Sequence, residues 1–277
     1  MPPRPRIHLI ATGGTIAGTA ADPAETRNYS IGALTAEALV ASVPQLIDLA
    51  EISVEQLYNI DSKDMTPDHW LGLARAIQMA LTRDDVDGVV ITHGTDTMEE
   101  SAFFLDLVLP PGKPVVFTGA MRPATALSAD GPMNLFDAVT VAASPDARGL
   151  GVVVVMHGRI HAARDVTKRH PHALDAFSSG EAGALGHVPP VRISRRPEPH
   201  PPFQLDTITA LPRVDMLLVG AGSSPDLAEA AVAAGAQGLV LALPGNGSLP
   251  SAWEETIGKL RERGIPGLRA SRCAEGT

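Results

Sequence analysis

The 277-residue sequence predicts an α/β protein: a large, mostly parallel sheet between two layers of helices, followed by a smaller α/β domain. Apolar strand-like runs alternate with helix-like segments, which is the pattern of repeated βα units. One near-continuous apolar run, 88–92, is typical of a parallel strand that is buried on both faces. Six prolines between residues 189 and 202 indicate an extended linker between the two domains.

In the predicted first domain, residues 1–188, the elements follow one another as βα units do. Apolar residues at helical spacing predict a helix within 32–43, and Thr66 before Pro67 predicts the start of a helix that runs to about residue 81. Thr97 and Glu100 have the spacing of a capping box, so a further helix is expected to begin there. The expected strands are 7–11, 52–57, 88–92, 115–118 and 151–156.

A smaller domain is expected over residues 213–277, after a proline-rich linker at 189–212. Its strand-like and helix-like runs alternate in the same way as those of the first domain. Another element starts near 265–269, shortly before the sequence ends, so this domain is expected to be incomplete. The expected elements are strands at 216–219 and 238–243 and helices at 226–234 and 251–263.

The composition restricts the function. A net charge of −9 without a basic run argues against a nucleic-acid partner. No apolar stretch reaches the roughly 18 residues of a membrane span. The first six residues lack the apolar core of a signal peptide, although the mature form of a secreted protein would look the same. Cys273 is the only cysteine, so no internal disulfide can form and a cytoplasmic location is favoured.

The most informative residues are two threonines, each in a glycine-containing turn that follows an apolar strand. Thr15 lies in the turn 11–18 and Thr95 in the segment 91–100. Open α/β sheets bind ligands at the carboxyl ends of their parallel strands, where both turns are expected. A threonine hydroxyl there can be a nucleophile if another group accepts or polarises its proton. The alternative is an ordinary strand-to-helix turn in which Thr15 is a cap.

Thr95 and Asp96 come just before a predicted helix N-terminus, where free N–H groups and the helix dipole favour an anion. A substrate carboxylate or a developing oxyanion would suit this position. Because the predicted capping box assigns the capping role to Thr97, Thr95 and Asp96 are available for chemistry. The alternative is that Asp96 or Thr97 only caps the helix.

Further candidates follow other strands. Lys168 is either an ordinary exposed lysine or a partly buried one that acts as a base. Ser62 also follows a strand, and from the pattern alone it is an ordinary turn serine. His157 and His161 have the spacing of a zinc pair on a helix, but Gly158 lies between them and no glutamate follows the first, so no metal site is expected.

Taken together, these motifs resemble the bacterial-type L-asparaginase family, which includes glutaminase-asparaginases. The matching blocks run in family order from residue 7 to about residue 272, so the resemblance covers nearly the whole chain. The blocks are Thr12–Ala17, His93–Glu100, Gly119–Pro123 with Ser128–Leu135, Ala163–Lys168 and Gly245–Ser248.

The resemblance implies hydrolysis of L-asparagine to L-aspartate and ammonia, with L-glutamine as a side substrate. Thr15 would be the nucleophile and would form an acyl-enzyme ester. Tyr29, on a mobile loop of residues 18–31, would polarise the Thr15 hydroxyl. Closure of this loop over the substrate would exclude water.

The resemblance also implies a second triad of Thr95, Asp96 and Lys168 that moves protons and activates water. Ser62 and Asp96 would hold the α-carboxylate and α-amino groups of the substrate, and Ala120 would contribute backbone contacts. The substrate-binding residues that we infer from the resemblance are Gly14, Ser62, Lys63, Gly94, Thr95, Asp96, Ala120 and Ser248.

The implied assembly is a homotetramer built from tight dimers, in which Ser248 of one chain reaches the site of its neighbour. No cofactor is expected, because backbone N–H groups near Thr95 can stabilise the oxyanion without a metal. Small-molecule substrates are therefore the expected partners, besides further copies of the chain.

Three features depart from the family pattern. Lys63 follows Ser62 where many relatives carry Gln or Glu facing the substrate ammonium, so amino-group recognition and the preference for asparagine over glutamine stay open. The chain is expected to lack the closing elements of the family, including an acidic residue lent to a neighbouring site. The cysteine pair of some secreted relatives is absent.

Two alternatives to an asparaginase remain. The first is another amidohydrolase, such as a glutaminase or an amide-trimming partner of a transfer-RNA amidation system. The second is a non-catalytic protein that binds or senses amino acids. The presence of both threonines together with Asp96 and Lys168 argues against the second, because a binding protein needs no proton relay.

Overall fold

The computed structural model describes residues 3–26 and 28–276. The chain divides into two compact units, the first ending at Ile208 and the second beginning at Thr209. This division falls inside the proline-rich segment 189–212. Within that segment, Arg192–Ile193 forms a short strand that joins the sheet of the first unit. No helix in the described ranges combines the length and the apolar composition needed to cross a membrane.

The first unit is an α/β fold, as the sequence predicts. Its strands are β1 (Arg6–Gly13), β2 (Glu51–Ile60), β3 (Gly88–Thr92), β4 (Val115–Thr118), β5 (Val152–Met156), β6 (Arg159–Ala162), β7 (Thr167–Lys168), β8 (Phe177–Ser178), β9 (Gly186–His187) and β10 (Arg192–Ile193). Its α-helices are α1 (Ala36–Ala41), α2 (Leu46–Leu49), α3 (Pro67–Thr82), α4 (Met98–Val108) and α5 (Gly131–Ala142).

The order of the strands creates a ligand crevice at one place in the sheet. Five parallel strands run in the order β2-β1-β3-β4-β5, and β6, β9 and β10 extend this sheet with antiparallel pairing. The chain passes from β1 to β2 on one side and then to β3 on the other. The carboxyl ends of β1 and β3 therefore flank a topological switch point, where open α/β sheets bind their ligands.

The central strands are buried on both faces. One apolar cluster joins Leu9 and Val90 of the sheet to Leu135 of α5. Val89 and Ile91, which alternate with Val90 along β3, are equally buried, and α3 and α4 pack against this sheet. Burial of each such side chain contributes about 1.5–3 kcal/mol, so the sheet is a stable support for the turns at its carboxyl edge.

Two helix starts show where local sequence signals succeed and fail. Thr66 caps α3 as predicted, because its side chain accepts a hydrogen bond from the backbone N–H of His69. Thr97 is the N-cap residue of α4, but its hydroxyl donates to the carbonyl oxygen of Ser62 at 2.7 Å and makes no capping bond. The predicted capping box with Glu100 is therefore wrong, because the Thr97 hydroxyl is hydrogen-bonded to a residue outside the helix.

The second unit is a smaller α/β fold whose elements follow the predicted order. Its strands β11 (Val214–Leu218), β12 (Gly238–Leu243) and β13 (Gly267–Ser271) form a parallel sheet in that order. Helices α6 (Asp226–Ala233) and α7 (Ser251–Glu262) connect them. Trp253 of α7 is buried with Leu239 and Leu241 of β12, so this unit has an apolar core of its own.

Candidate active site

The two turns that contain Thr15 and Thr95 touch each other through glycines. Gly14 has a φ of +82°, and a Cβ atom at this position would lie only 2.4 Å from the Cα and N atoms of Gly94. A Cβ atom on Gly94 would in turn lie 2.6 Å from Ser62 Oγ. Glycine is therefore required at both positions, and the backbones that leave β1 and β3 meet at the switch point.

A cavity of about 610 Å³ opens where the two turns meet. Its wall contains all five residues to which the resemblance assigns catalytic roles, although they come from distant parts of the sequence. These residues are Thr15, Tyr29, Thr95, Asp96 and Lys168, and the remaining wall is formed by Thr26, Met121, Arg169, His170, Pro171 and His172.

Thr15 is paired with Tyr29 in one part of this cavity. Thr15 is only 8% exposed, and its Oγ1 atom lies 2.8 Å from the Tyr29 hydroxyl oxygen. Gly18 leaves the space for the phenol ring, since a Cβ atom there would lie 2.9 Å from Tyr29 Cδ2. The phenol is thus placed to polarise the Thr15 hydroxyl or to accept its proton, as nucleophilic catalysis requires.

The loop that carries Tyr29 is fastened at its base. Thr19 and Ser30 exchange two backbone hydrogen bonds of 2.9 Å each, which close the loop. The N–H of Ala20 donates to Thr125 Oγ1 at 2.8 Å, which ties the loop to the segment after β4. The position of Tyr29 therefore depends on backbone contacts that sequence spacing did not reveal.

Lys168 joins the second pair of catalytic candidates. Its Nζ atom donates to Thr95 Oγ1 at 2.9 Å and to Asp96 Oδ1 at 2.6 Å. The Lys168 side chain is only 14% exposed, whereas that of Asp96 is 62% exposed. Of the two interpretations of Lys168 that the sequence allowed, the structure favours the partly buried lysine. A threonine hydroxyl bound to a lysine amine can relay protons to and from a substrate.

A buried hydrogen-bonded chain, which sequence reasoning missed, supports the turn at Thr95. His93 Nδ1 lies 2.7 Å from the carbonyl oxygen of Gly94, and His93 Nε2 lies 3.0 Å from Ser101 Oγ. The indole N–H of Trp70 donates to Ser101 Oγ at 2.9 Å. Because a carbonyl only accepts, Nδ1 carries the proton and Nε2 accepts from the serine hydroxyl. The only sequence signal was a histidine directly after a buried strand.

The imidazole of His93 is neutral in this chain. Burial lowers the pKa of His93 to about 4, because a charged ring would be removed from water. The ring also packs against Phe117, with centroids 5.6 Å apart. His93 therefore fixes the Gly94 carbonyl next to Thr95 and does not act as a base that exchanges protons with the cavity.

Ser62 and Ala120 lie at the carboxyl ends of two other strands. Ser62 follows β2, is buried, and lies against Gly94 beside the contact between the two turns. Ala120 follows β4 and is also buried. The next residue, Met121, donates its backbone N–H to Asp130 Oδ2 at 2.9 Å, which holds this turn in place. Ser62 and Ala120 therefore lie at the carboxyl ends of β2 and β4, but they do not form the cavity wall described above.

Lys63 is not part of the cavity wall, and Ser248 belongs to the second unit. The exposed Lys63 side chain forms ion pairs with Asp61 and, at 3.5 Å, with Asp64. The hydrogen bond to Asp61 raises the pKa of Lys63. Ser248 is exposed on the loop after β12 in the second unit, where its backbone N–H donates to Pro244 O at 2.9 Å. The structure therefore does not place Lys63 in the cavity wall that contains the five catalytic candidates.

The histidine spacing noted in the sequence does not assemble a metal-binding cluster. His161 is buried, its Nδ1 atom lies 2.8 Å from Ser179 Oγ, and burial lowers its pKa to about 4. His157 lies in the turn between β5 and β6 with a φ of +50°. Over residues 3–26 and 28–276, no three His, Cys, Asp or Glu side chains are grouped as a metal site would require.

Comparison with known proteins agrees with this geometry. The family model described as "Asparaginase, N-terminal" matches residues 6–199, and the one described as "Glutaminase/Asparaginase C-terminal domain" matches residues 213–277. L-asparaginase 2 of Bacillus subtilis is 42% identical over 98% of this chain and 74% of its own length. The glutaminase-asparaginase of Acinetobacter glutaminasificans is 41% identical over 98% of this chain and 84% of its own length.

A solved structure shows the same fold over nearly the entire chain. The crystal structure of a probable cytoplasmic L-asparaginase from Campylobacter jejuni superposes with a TM-score of 0.95 and 41% sequence identity. The match covers 99% of this chain and 85% of the Campylobacter chain. From the two family models and the similarity over nearly the whole of this sequence, we conclude that the chain belongs to the asparaginase family.

Proposed function

We propose that this protein hydrolyses the side-chain amide of L-asparagine to give L-aspartate and ammonia. The main support is the convergence of Thr15, Tyr29, Thr95, Asp96 and Lys168 on one cavity at the switch point of the sheet. Each threonine hydroxyl has a partner that can polarise it or move its proton, at 2.8 Å and 2.9 Å respectively. Membership of the asparaginase family supports the same reaction.

In the proposed first step, the Thr15 oxygen attacks the amide carbon of the asparagine side chain. Tyr29 takes the hydroxyl proton while its own phenol proton is passed on to the amide nitrogen, and the carbon–nitrogen bond breaks. Ammonia leaves, and an ester between Thr15 and the aspartyl side chain remains. The first backbone N–H groups of α4 have no partner within the helix and follow Thr95 closely in the sequence, so they can stabilise the negative oxygen that develops during the attack.

In the proposed second step, water attacks the ester carbon and Thr15 leaves as the alcohol. As Thr15 leaves, its oxygen takes a proton from the Lys168 ammonium. The amine that remains accepts the Thr95 hydroxyl proton across the 2.9 Å contact, while Thr95 takes a proton from the attacking water. Asp96 holds Lys168 through the 2.6 Å ion pair and also binds the α-amino group of the substrate. Lys168 is then an ammonium again and Thr95 a hydroxyl, so the residues end the cycle in their starting state.

The proposed substrate contacts follow the strand ends. Ser62 would bind the α-carboxylate, and Gly14, Gly94 and Ala120 would contribute backbone groups. Lys63 was inferred as a substrate contact from its place in the sequence, but its ion pairs with two aspartates hold its ammonium elsewhere in this structure. Its role in substrate recognition therefore has to be tested separately.

We further propose that the active form is a homotetramer built from dimers, in which Ser248 of one copy completes the site of another. The support is the exposure of Ser248 on a glycine-containing loop of the second unit. Light scattering after size-exclusion chromatography would measure the mass of the assembly. A Ser248→Ala variant would keep that mass but raise KM for asparagine, whereas a fully active monomer would contradict the proposal.

A cytoplasmic location is also proposed. Its support is that the sequence has one cysteine, the exposed Cys273, and so no disulfide pair, together with the description of the Campylobacter neighbour as cytoplasmic. Fractionation of cells that express the protein from its own gene would place the enzyme in the cytoplasmic fraction. Recovery of the protein outside the cytoplasm would overturn this assignment.

Ammonia release from asparagine, from glutamine and from buffer alone tests the reaction. We expect turnover of asparagine and none in buffer. An acid-quenched reaction should contain an aspartyl ester on the peptide that includes Thr15. An ester on the peptide that includes Thr95 would exchange the proposed roles of the two threonines, and no ammonia from either amide would reject the amidohydrolase function.

Glutamine is the second candidate substrate, because the Acinetobacter relative is named a glutaminase-asparaginase. The cavity of about 610 Å³ does not exclude one additional methylene group. An added methylene usually changes discrimination by about 10- to 200-fold in kcat/KM. We therefore expect asparagine to be preferred and glutamine to be a side substrate, and equal kcat/KM values would contradict this preference.

A further inference from the structure

Glu99 connects helix α4 to β7, the short strand that carries Lys168. Its Oε1 atom accepts a hydrogen bond from Thr167 Oγ1 at 2.9 Å. Its Oε2 atom accepts a hydrogen bond from the backbone N–H of Lys168. Glu99 lies in the first turn of α4, so both of its carboxylate oxygens are used to bind the two-residue strand β7.

Lys168 is consequently held at both ends by one short segment of the chain. The backbone N–H of Lys168 is bound by Glu99, and its Nζ atom is bound by Thr95 and Asp96. These three partners lie within residues 95–99, at the start of α4. The result is a closed ring that runs from the helix start to the Lys168 backbone, along its side chain, and back to the helix start.

The backbone anchor matters because lysine is a flexible side chain. Four rotatable bonds separate the Lys168 Cα atom from Nζ, and fixing them costs conformational entropy. If β7 moves relative to α4, the ammonium group loses its place beside the Thr95 hydroxyl. A displacement of about 1 Å in a catalytic group can lower a rate by about 100-fold.

We propose that Glu99 is a positioning residue, which places Lys168 for proton transfer with Thr95 by binding the backbone of β7. The inference rests on the proposed function of Lys168 in amide hydrolysis. Glu99 does not form part of the cavity wall and touches no group assigned to the substrate. It acts through Lys168 and not on the reacting atoms.

Glu100 provides a matched control, because it carries the same charge at the next position. It is exposed, and in the described part of the chain it makes no hydrogen bond to Thr167 or Lys168. A Glu100→Ala variant therefore removes one negative charge from the first turn of α4 without releasing β7. A Glu99→Gln variant keeps an oxygen that can accept a hydrogen bond, but removes the charge.

The test measures kcat and KM for asparagine in wild type, Glu99→Ala, Glu99→Gln and Glu100→Ala. We expect Glu99→Ala to lower kcat by about 100-fold with little change in KM. Glu99→Gln should lower kcat by about fivefold, since a neutral acceptor binds more weakly than a charged one. Glu100→Ala should stay within about twofold of wild type, as expected for an exposed substitution. An equal loss in Glu100→Ala and Glu99→Ala would overturn the proposal.

A double-mutant cycle separates positioning from a general structural role. In a Lys168→Met background, Glu99→Ala should lower the residual rate by less than about threefold, because the residue it positions is already gone. The same 100-fold loss in both backgrounds would mean that Glu99 supports the fold as a whole.

A crystal structure of the Glu99→Ala variant tests the geometry independently of turnover. We expect the Lys168 Nζ to Thr95 Oγ1 distance to exceed the hydrogen-bond limit of about 3.5 Å, and an unchanged distance would contradict the inference. If wild type released no ammonia from asparagine, the proposed function would fail at the first measurement. The structure of the variant would still decide whether Glu99 positions Lys168.

Discussion

The turn after β1 and the turn after β3 each present a threonine to the same cavity, but they are supported in different ways. Thr15 receives its hydroxyl partner from Tyr29, on a loop whose tip is exposed. Thr95 is supported by His93 and Ser101, which are 1% and 0% exposed. The first threonine thus depends on a surface loop, whereas the second is built into the core.

This difference suggests that the two halves of the site have different functions. A loop can open to admit a substrate without disturbing the core, because it contributes few buried apolar contacts. A proton relay needs fixed distances, which a buried hydrogen-bonded network maintains. The nucleophile would then be activated only when the Tyr29 loop is in place, while Thr95 and Lys168 would be ready at all times.

Removal of either threonine hydroxyl should have the largest effect. We expect Thr15→Ala and Thr95→Ala each to lower kcat by at least ~10³-fold, on the scale of losing a nucleophile or its proton relay. Steady-state ammonia release measures this loss, and circular dichroism would check that both variants are folded. Near-normal turnover in Thr95→Ala would remove the two-threonine mechanism.

The contribution of His93 to the stability of the folded protein should also depend on pH. The pKa of His93 is lowered from 6.5 to about 4, so below pH 6.5 the unfolded chain binds a proton that the folded protein excludes. The contribution of His93 to the free energy of unfolding is therefore fully present above pH 6.5, and it is lost as the pH falls toward 4. The full loss is on the order of 3 kcal/mol.

A residue-specific measurement is needed, because other groups titrate in the same range. Burial lowers the pKa of His161 to about 4 and raises that of Asp137 to about 6. An NMR titration of the His93 ring should give a midpoint near 4. A midpoint near 6.5 would show that the ring is open to water and that the Thr95 turn is no better protected than the Tyr29 loop.

The Tyr29 hydroxyl should matter for rate but not for stability. We expect Tyr29→Phe to lower kcat by about 100-fold, because Thr15 loses the group that polarises its proton. The ring still packs against Gly18, so the melting temperature should not change. Tyr58→Phe is the matched control, since the Tyr58 hydroxyl interacts with His69 outside the cavity. Equal rate losses in the two variants would remove the catalytic role of Tyr29.

The same contrast explains what the sequence could and could not reveal. Strand β3 has the bounds that its apolar run predicted, because a strand buried on both faces is encoded locally. The roles of His93, Ser101 and Glu99 depend on partners that are distant in the sequence or on another element. No local pattern encodes such contacts.

Thr97 shows how a local rule can fail at such a site. Its position as the N-cap of α4 was predicted, but the hydroxyl binds Ser62 O, 35 residues away, and not the helix. The sequence also could not decide whether Lys168 is buried, because its burial depends on how β7 packs against the distant helix α4. The glycines were more informative, because Gly14 and Gly94 mark a backbone contact that no other residue permits.

The smallest expected effect is at Lys63, which lies beside the buried Ser62 but outside the cavity wall. Its ion pairs with Asp61 and Asp64 involve an exposed ammonium group, and water screens such pairs so that they contribute little. Lys63→Gln should therefore change KM for asparagine by less than about fivefold, and should change KM more than kcat. Lys259→Gln, which removes an exposed lysine paired with Glu255, is the control. A tenfold or larger change in KM would mean that the Lys63 ammonium turns into the substrate site during turnover, and that this part of the first unit rearranges.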